Sequence, residues 1–127
     1  MDDEIRALLD RYAEIGNLHR ALAVLEWDLH CYMPPGGARA RAEQIGVLSR
    51  MAHEKLVDDC THRLLNSAEE AIDGADPDSD EARSVKNFRR DFDRAAKIPA
   101  ALAEEFSRHS AAADRVWRRA RATSDFA

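Results

Sequence analysis

Apolar residues along the first thirty positions fall in steps of three and four, at Ile5, Leu8, Leu9, Tyr12, Ile15, Leu18, Leu22, Leu25 and Leu29. Spacing of that kind keeps one helical face apolar, so it predicts a long helix beginning at Asp2 and running to about His30. Pro34 and Pro35 cannot continue it, because proline lacks the backbone donor and restrains the residue before it. Gly36 and Gly37 then supply a flexible turn at which the chain reverses. Beyond the turn Ala42, Ile45, Leu48, Met51 and Ala52 share a face, and Val57, Cys60, Leu64, Leu65 and Ala68 carry the pattern past Asp58 and Asp59. Either aspartate suits a helix N-cap, so two helices are expected here, with the break near 55–58.

The clearest loop is "DGADPDSDEA", positions 73–82, rich in Asp, Gly and Pro. Ser79 or Asp80 is placed to cap a fourth helix over about 81–95, with Val85, Phe88, Phe92 and Ala95 as its stripe. Pro99 suits the first turn of a fifth helix, whose apolar face is Leu102, Phe106, His109, Ala113, Val116, Trp117 and Ala120. No segment alternates as a strand does. The expected fold class is therefore all-α, a single helical domain over 1–127 with about five amphipathic helices packed antiparallel as a bundle.

Composition agrees with a folded helical chain: 45% hydrophobic and 34% charged residues, with five Gly and four Pro in 127 residues. A chain of that length buries roughly 65% of the surface its unfolded form exposes, a core of modest size. No stretch approaches the ~20 apolar residues of a membrane span, and "MDDEIRALLD" lacks a basic signal-peptide start. A cytoplasmic protein with no membrane partner is expected. Cys31 and Cys60 read as small buried hydrophobes ahead of a disulfide.

Charge is uneven. Residues 1–80 carry 8 basic and 17 acidic groups and residues 81–127 carry 11 and 7, so the two parts stand at −9 and +4. Asp91 and Asp93 interrupt the basic run "KNFRRDFDRAAK", so mutual attraction of the two parts is expected ahead of a nucleic-acid surface. Binding of nucleic acid through Arg115, Arg118, Arg119 and Arg121 ranks last among the functional readings.

Candidate chemistry is sparse. "HEKLV" at His53 has the first His and the Glu of a zinc-protease helix, but Val57 stands where the second His would grip the metal. His19, His30, His62 and His109 form no pair one turn apart. Ser49, Ser67, Ser84, Ser107 and Ser110 lie in helical pattern with no glycine elbow, and Glu69–Glu70 and Glu104–Glu105 are adjacent and diverge on a helix. "GGAR" could hold an anion at a helix start with Arg39 or Arg41. Trp27, Tyr32 and Met33 read as packing that pins the helix ends at the turn, and Trp117 as an apolar anchor between arginines. No catalytic, cofactor-binding or metal-ligating residue is assigned.

The block "LEWDLHCYMPPGGARARAEQIGVLSRMAHEKLVDD" resembles the N-terminal region of the carboxypeptidase Taq family of metallocarboxypeptidases, through "WD", "YMPPGGA", "RAEQ", "LS" and His53 in order. "DRAAKIPAAL" and the later "ARATSDF" resemble that family too. The resemblance implies an all-α enzyme that releases single residues from peptide C-termini with zinc or another divalent metal, held by an HExxH helix and a downstream Glu, and commonly a homodimer. Those parts lie outside the matched region, so none is carried to a residue here. The implied chain is a helical segment or stand-alone relative with the catalytic body absent and no cofactor of its own. A helical self-association or adaptor module is the alternative. Expected partners are a second copy, a dimer foremost, or a separate catalytic polypeptide.

Overall fold

The computed structural model describes residues 3–126 and is all-α among them. The expected helix start at Asp2 lies outside the described residues. The elements run α1 (Asp3–Cys31), a single 3-10 turn (Pro35–Gly37), α2 (Ala38–Val57), α3 (Asp59–Ala71), α4 (Asp80–Ala95) and α5 (Ala100–Thr123). At 29 residues α1 is about 44 Å long, and it forms a spine with a different pair of helices at each end.

Toward its N-terminus, Ile5, Leu8 and Ile15 of α1 pack with Leu65 and Ala68 of α3 and Val85 and Phe88 of α4. Tyr12 stacks on Phe88 with ring centroids 4.3 Å apart, and its hydroxyl donates to Asp91 Oδ2 at 3.0 Å. Burial first, and then the bond to the Asp91 carboxylate, hold the Tyr12 phenol above its ordinary pKa. Toward its C-terminus, Leu22 and Leu29 meet Ala42 and Ile45 of α2 and Ala111 of α5.

The breaks follow local chemistry. Asp58 is the N-cap of α3, extended at φ −72° and ψ 163°, and its Oδ1 accepts from the Thr61 backbone N–H at 2.7 Å. Ser79 caps α4 by accepting from Ala82 N–H at 3.3 Å. In the loop between them Gly74 takes φ +81°, a left-handed conformation that glycine adopts without a Cβ penalty. Pro99 sits one residue ahead of α5 as its N-cap, a one-position shift from the expected first turn.

At the kink between α2 and α3 the Arg11 guanidinium reaches across from α1. Its Nε donates to Thr61 Oγ1 at 3.1 Å, and its terminal nitrogen donates to the Lys55 carbonyl at 3.2 Å and to Asp58 Oδ2. The Thr61 hydroxyl, fully buried, donates in turn to the Lys55 carbonyl at 2.7 Å. The Lys55 carbonyl, in the last turn of α2, therefore finds two partners inside the protein where the helix stops, as a buried helix end requires.

Helix α5 departs from the sequence expectation. It lies along α2 with Ala111 buried and with Ala103, Glu104, Ser107, Arg108 and Asp114 half-buried, and the predicted core stripe faces outward. Leu102 is 52% exposed, Phe106 73%, Val116 70% and Trp117 54%. Close approach explains this choice of face. Gly46 on α2 leaves so little room that a Cβ built there would stand 3.0 Å from Arg108 Cβ, and Ala38 and Ala42 keep the same side of α2 shallow. Two ion pairs line the seam, Arg50 Nε 2.8 Å from Glu104 Oε2 and Arg108 3.6 Å from Glu43.

Cys31 and Cys60 are free thiols and both exposed, in contrast to the expected burial, because each sits at a helix end on the solvent side of its stripe.

Candidate functional site

The turn at Pro34–Gly37 is held from both flanks. Met33 packs into the α1–α2–α5 cluster, as the pinning role expects. Trp27 and Tyr32 instead contact each other at 5.1 Å between ring centroids, and both remain largely exposed. Arg41 donates to Asp28 Oδ2 at 2.6 Å, to the Leu25 carbonyl at 3.2 Å and to Gln44 at 3.1 Å. Because its donors bind α1 and its own helix, Arg41 fastens the start of α2 to α1. That geometry removes it from the anion site suggested by "GGAR".

His53 does not face a metal position. Its Nε2 lies 2.6 Å from the Ile98 carbonyl, so the ring ties α2 to the segment before α5. Among the described residues no group of three or more His, Cys, Asp or Glu side chains is placed to hold a metal ion. Among the described residues a divalent metal therefore finds no fitting donor set.

The most built polar cluster joins residues distant in sequence. His30 at the end of α1 places Nδ1 3.2 Å from Asp114 Oδ1, and Arg118 donates to Asp114 Oδ2 at 2.8 Å and to the His30 carbonyl at 2.9 Å. It borders a groove of about 490 Å3 lined also by Glu26, Phe106, Ser107, Ser110 and Trp117. A carboxylate orienting an imidazole beside two serines is the material of acyl transfer. The serines, however, sit within α5, whose backbone N–H groups are spent in the helix, so the groove offers no backbone oxyanion donors. The cluster binds the C-terminus of α1 to α5. Nothing in the sequence spacing pointed to His30 and Asp114 as partners, since their meeting depends on how α5 docks.

The basic residues of α5 divide in the same way. Arg118 is engaged as described, and the Arg121 guanidinium stacks over the Trp117 ring at 5.2 Å. Trp117 is thus an exposed, arginine-covered ring on the outer side of α5 and not a core anchor. Leu102, Phe106, Val116 and, past the helix end, Phe126 are exposed as well. Isolated exposed apolar residues are ordinary, whereas several on one helix suit a contact surface.

Comparison with known proteins places the chain. The family model for carboxypeptidase Taq (M32) metallopeptidase matches residues 7–127. The chain is 31% identical over 119 residues to thermostable carboxypeptidase 1 of Thermus thermophilus, covering 94% of this chain and 23% of that protein. It is 27% identical over 121 residues to carboxypeptidase 1 of Bacillus subtilis, covering 95% of this chain and 24% of that protein. The BsuCP crystal structure superposes with a TM-score of 0.90 at 26% identity over 98% of this chain and 25% of that one. The chain thus spans about a quarter of the length of these relatives and corresponds to their N-terminal region. No described helix is long and apolar enough to cross a membrane.

Proposed function

The chain belongs to the carboxypeptidase Taq (M32) metallopeptidase family, and on that premise we propose that it is the N-terminal helical part of a metal-dependent carboxypeptidase, or a stand-alone relative of that part, carrying none of the chemistry itself. The observation that carries this reading is the match in extent: nearly the whole chain superposes on a carboxypeptidase while accounting for a quarter of it. The exposure of Leu102, Phe106 and Val116 on α5 agrees with further fold lying over that helix. In this reading the helices serve as a scaffold, and the release of C-terminal residues belongs to the remainder of the fold. Two exposed free thiols suit a reducing compartment, so the proposed location is the cytoplasm. The exposed stripe of α5 favours a second reading, a helical self-association or adaptor module with no peptidase role.

Transplantation tests the first reading. The part of the Bacillus subtilis carboxypeptidase 1 that aligns with this chain is replaced by this chain. The chimaera is expected to be folded and monodisperse and to release C-terminal residues from a peptide. Val116→Asp, which changes the outer face of α5 and no core contact, is expected to lower that release at least tenfold. A folded, metal-loaded chimaera that releases nothing would overturn the proposal.

A further inference from the structure

We propose that the cleft between the beginning of α2 and the middle of α5 is an anion site that takes a doubly charged phosphoryl group. The cleft holds about 340 Å3, at the small end of ligand pockets. Of the two arginines expected to hold an anion where α2 starts, Arg41 is committed to α1, and Arg39 lines this cleft.

Helix packing opens the space. Arg50 pairs with Glu104 and Gly46 closes on Arg108, so α2 and α5 run antiparallel and the beginning of α2 lies beside Ala112 and Arg115. Beyond the close approach at Gly46 the side chains between the two helices are Ala38, Ala42 and Ala112, too short to fill the gap. Arg108 and Arg115, two turns apart on α5, share a helical side, and Arg39 stands across from them in the first turn of α2.

Charge sets the ligand. Three guanidiniums line the cleft against one carboxylate, Glu43, which leaves a surplus of two positive charges before His109 is counted. Glu43 is held loosely by Arg108 at 3.6 Å, and Glu105 pairs with His109 at 3.7 Å on their own helix. Arg39 and Arg115 have no ion pair or hydrogen-bond partner among the described residues, whereas Arg41, Arg50 and Arg118 are all engaged. Like charges gathered in one cleft repel until an anion stands among them, and the planar fork of arginine meets phosphate oxygens in pairs. A carboxylate brings one charge and two oxygens. A phosphoryl group brings about two charges and three acceptor oxygens, which balances the surplus. The alanines and Val116 give the organic part of a phosphate monoester an apolar wall. A nucleic-acid backbone fits poorly, because Arg118 and Arg121 are turned to Asp114 and Trp117 and leave no continuous basic track.

Nuclear magnetic resonance of the nitrogen-15-labelled 127-residue chain tests the site, with inorganic phosphate, phenyl phosphate or acetate as the titrant at low salt. Phosphate is expected to saturate at about 1 mM, with amide and arginine Nε–H shifts confined to 38–43 and 108–116. Arg39→Gln and Arg115→Gln should each weaken it by about fivefold or more with unchanged circular dichroism. Arg63→Gln, which removes the same charge from an exposed position on α3, should leave it unchanged. Glu43→Gln should tighten it by about twofold, since Arg108 is released. Tighter binding of phenyl phosphate than of inorganic phosphate identifies a monoester as the source, and equal binding identifies the free ion; both sustain the site. No saturation by either phosphate, acetate binding as tightly, or equal weakening by Arg63→Gln would overturn the proposal. So would a DNA oligonucleotide that binds through Arg119 and Arg121 where phosphate does not bind.

Discussion

Truncating Phe88 to alanine will cost about 3–5 kcal/mol of stability, the range for removing a fully buried aromatic ring. Phe88 is 0% exposed, stacks on Tyr12, and sits where α1, α3 and α4 meet. The cavity left behind cannot collapse easily, because Leu8 and Leu65 around it are also fully buried on two separate helices. In urea denaturation followed by far-ultraviolet circular dichroism, the midpoint should fall with little change in slope, and the thermal midpoint should drop by roughly 10–20 °C. Tyr12→Phe keeps the stacked ring and removes the bond to Asp91, so its cost should stay within about 1 kcal/mol. A loss below about 1 kcal/mol for Phe88→Ala would mean that α4 is not seated on α1 as described.

Asp58→Ala is the second large effect, about 2 kcal/mol. Loss of the N-cap accounts for about 1 kcal/mol. The ion pair with Arg11 adds no more than about 1, since the Asp58 side chain is 40% exposed and water screens it. Its pH dependence has a definite sign. Burial pushes the Asp58 carboxyl up, but the Thr61 backbone N–H, the Thr61 side chain and the Arg11 guanidinium outweigh it and hold the group below the usual carboxylate range. A depressed folded value means that the stabilisation is complete above the ordinary Asp pKa of about 4 and is lost as pH falls through the folded value. The gap between wild type and Asp58→Ala, read by urea titration, should therefore be constant from pH 7 to about 5 and narrow below about 4. A gap that widens toward acid would contradict the assignment.

Both effects sit at features that local sequence rules can read. Asp58 and Ser79 are caps whose position is set by side-chain reach to the next backbone N–H groups, and Pro34 and Pro35 end α1 for want of a donor. Such rules need no knowledge of the rest of the fold. Helix α5 shows where they stop. Periodicity identifies Leu102, Phe106, Val116 and Trp117 as one face, but it carries no direction, and the assumption that an apolar stripe faces the core of its own chain failed. What decides the direction is the shallow side of α2 at Gly46 and the two ion pairs of that seam, none of which is local to α5. Cys31 and Cys60 failed for a related reason, since their rank as buried residues reflects averages and both lie at helix ends. The His30–Asp114–Arg118 cluster and the Arg11 network are equally non-local. They join helices by contacts that no spacing along the chain announces.

The outward stripe of α5 also connects fold to family. A helix that packs by its polar side and presents its apolar side suits a chain that corresponds to a quarter of a larger helical enzyme, where further fold or a second copy can lie against it. The same docking places His53 against the Ile98 carbonyl and Ser107 and Ser110 within α5 beside the groove.

The most direct measurement is of catalysis by the chain alone. Purified 127-residue protein at 10 µM is incubated with an unblocked peptide and added zinc or cobalt, and the peptide is followed by mass spectrometry. The account predicts an intact peptide at every time point. Stepwise loss of C-terminal residues, abolished by a chelator and restored by metal, would contradict it.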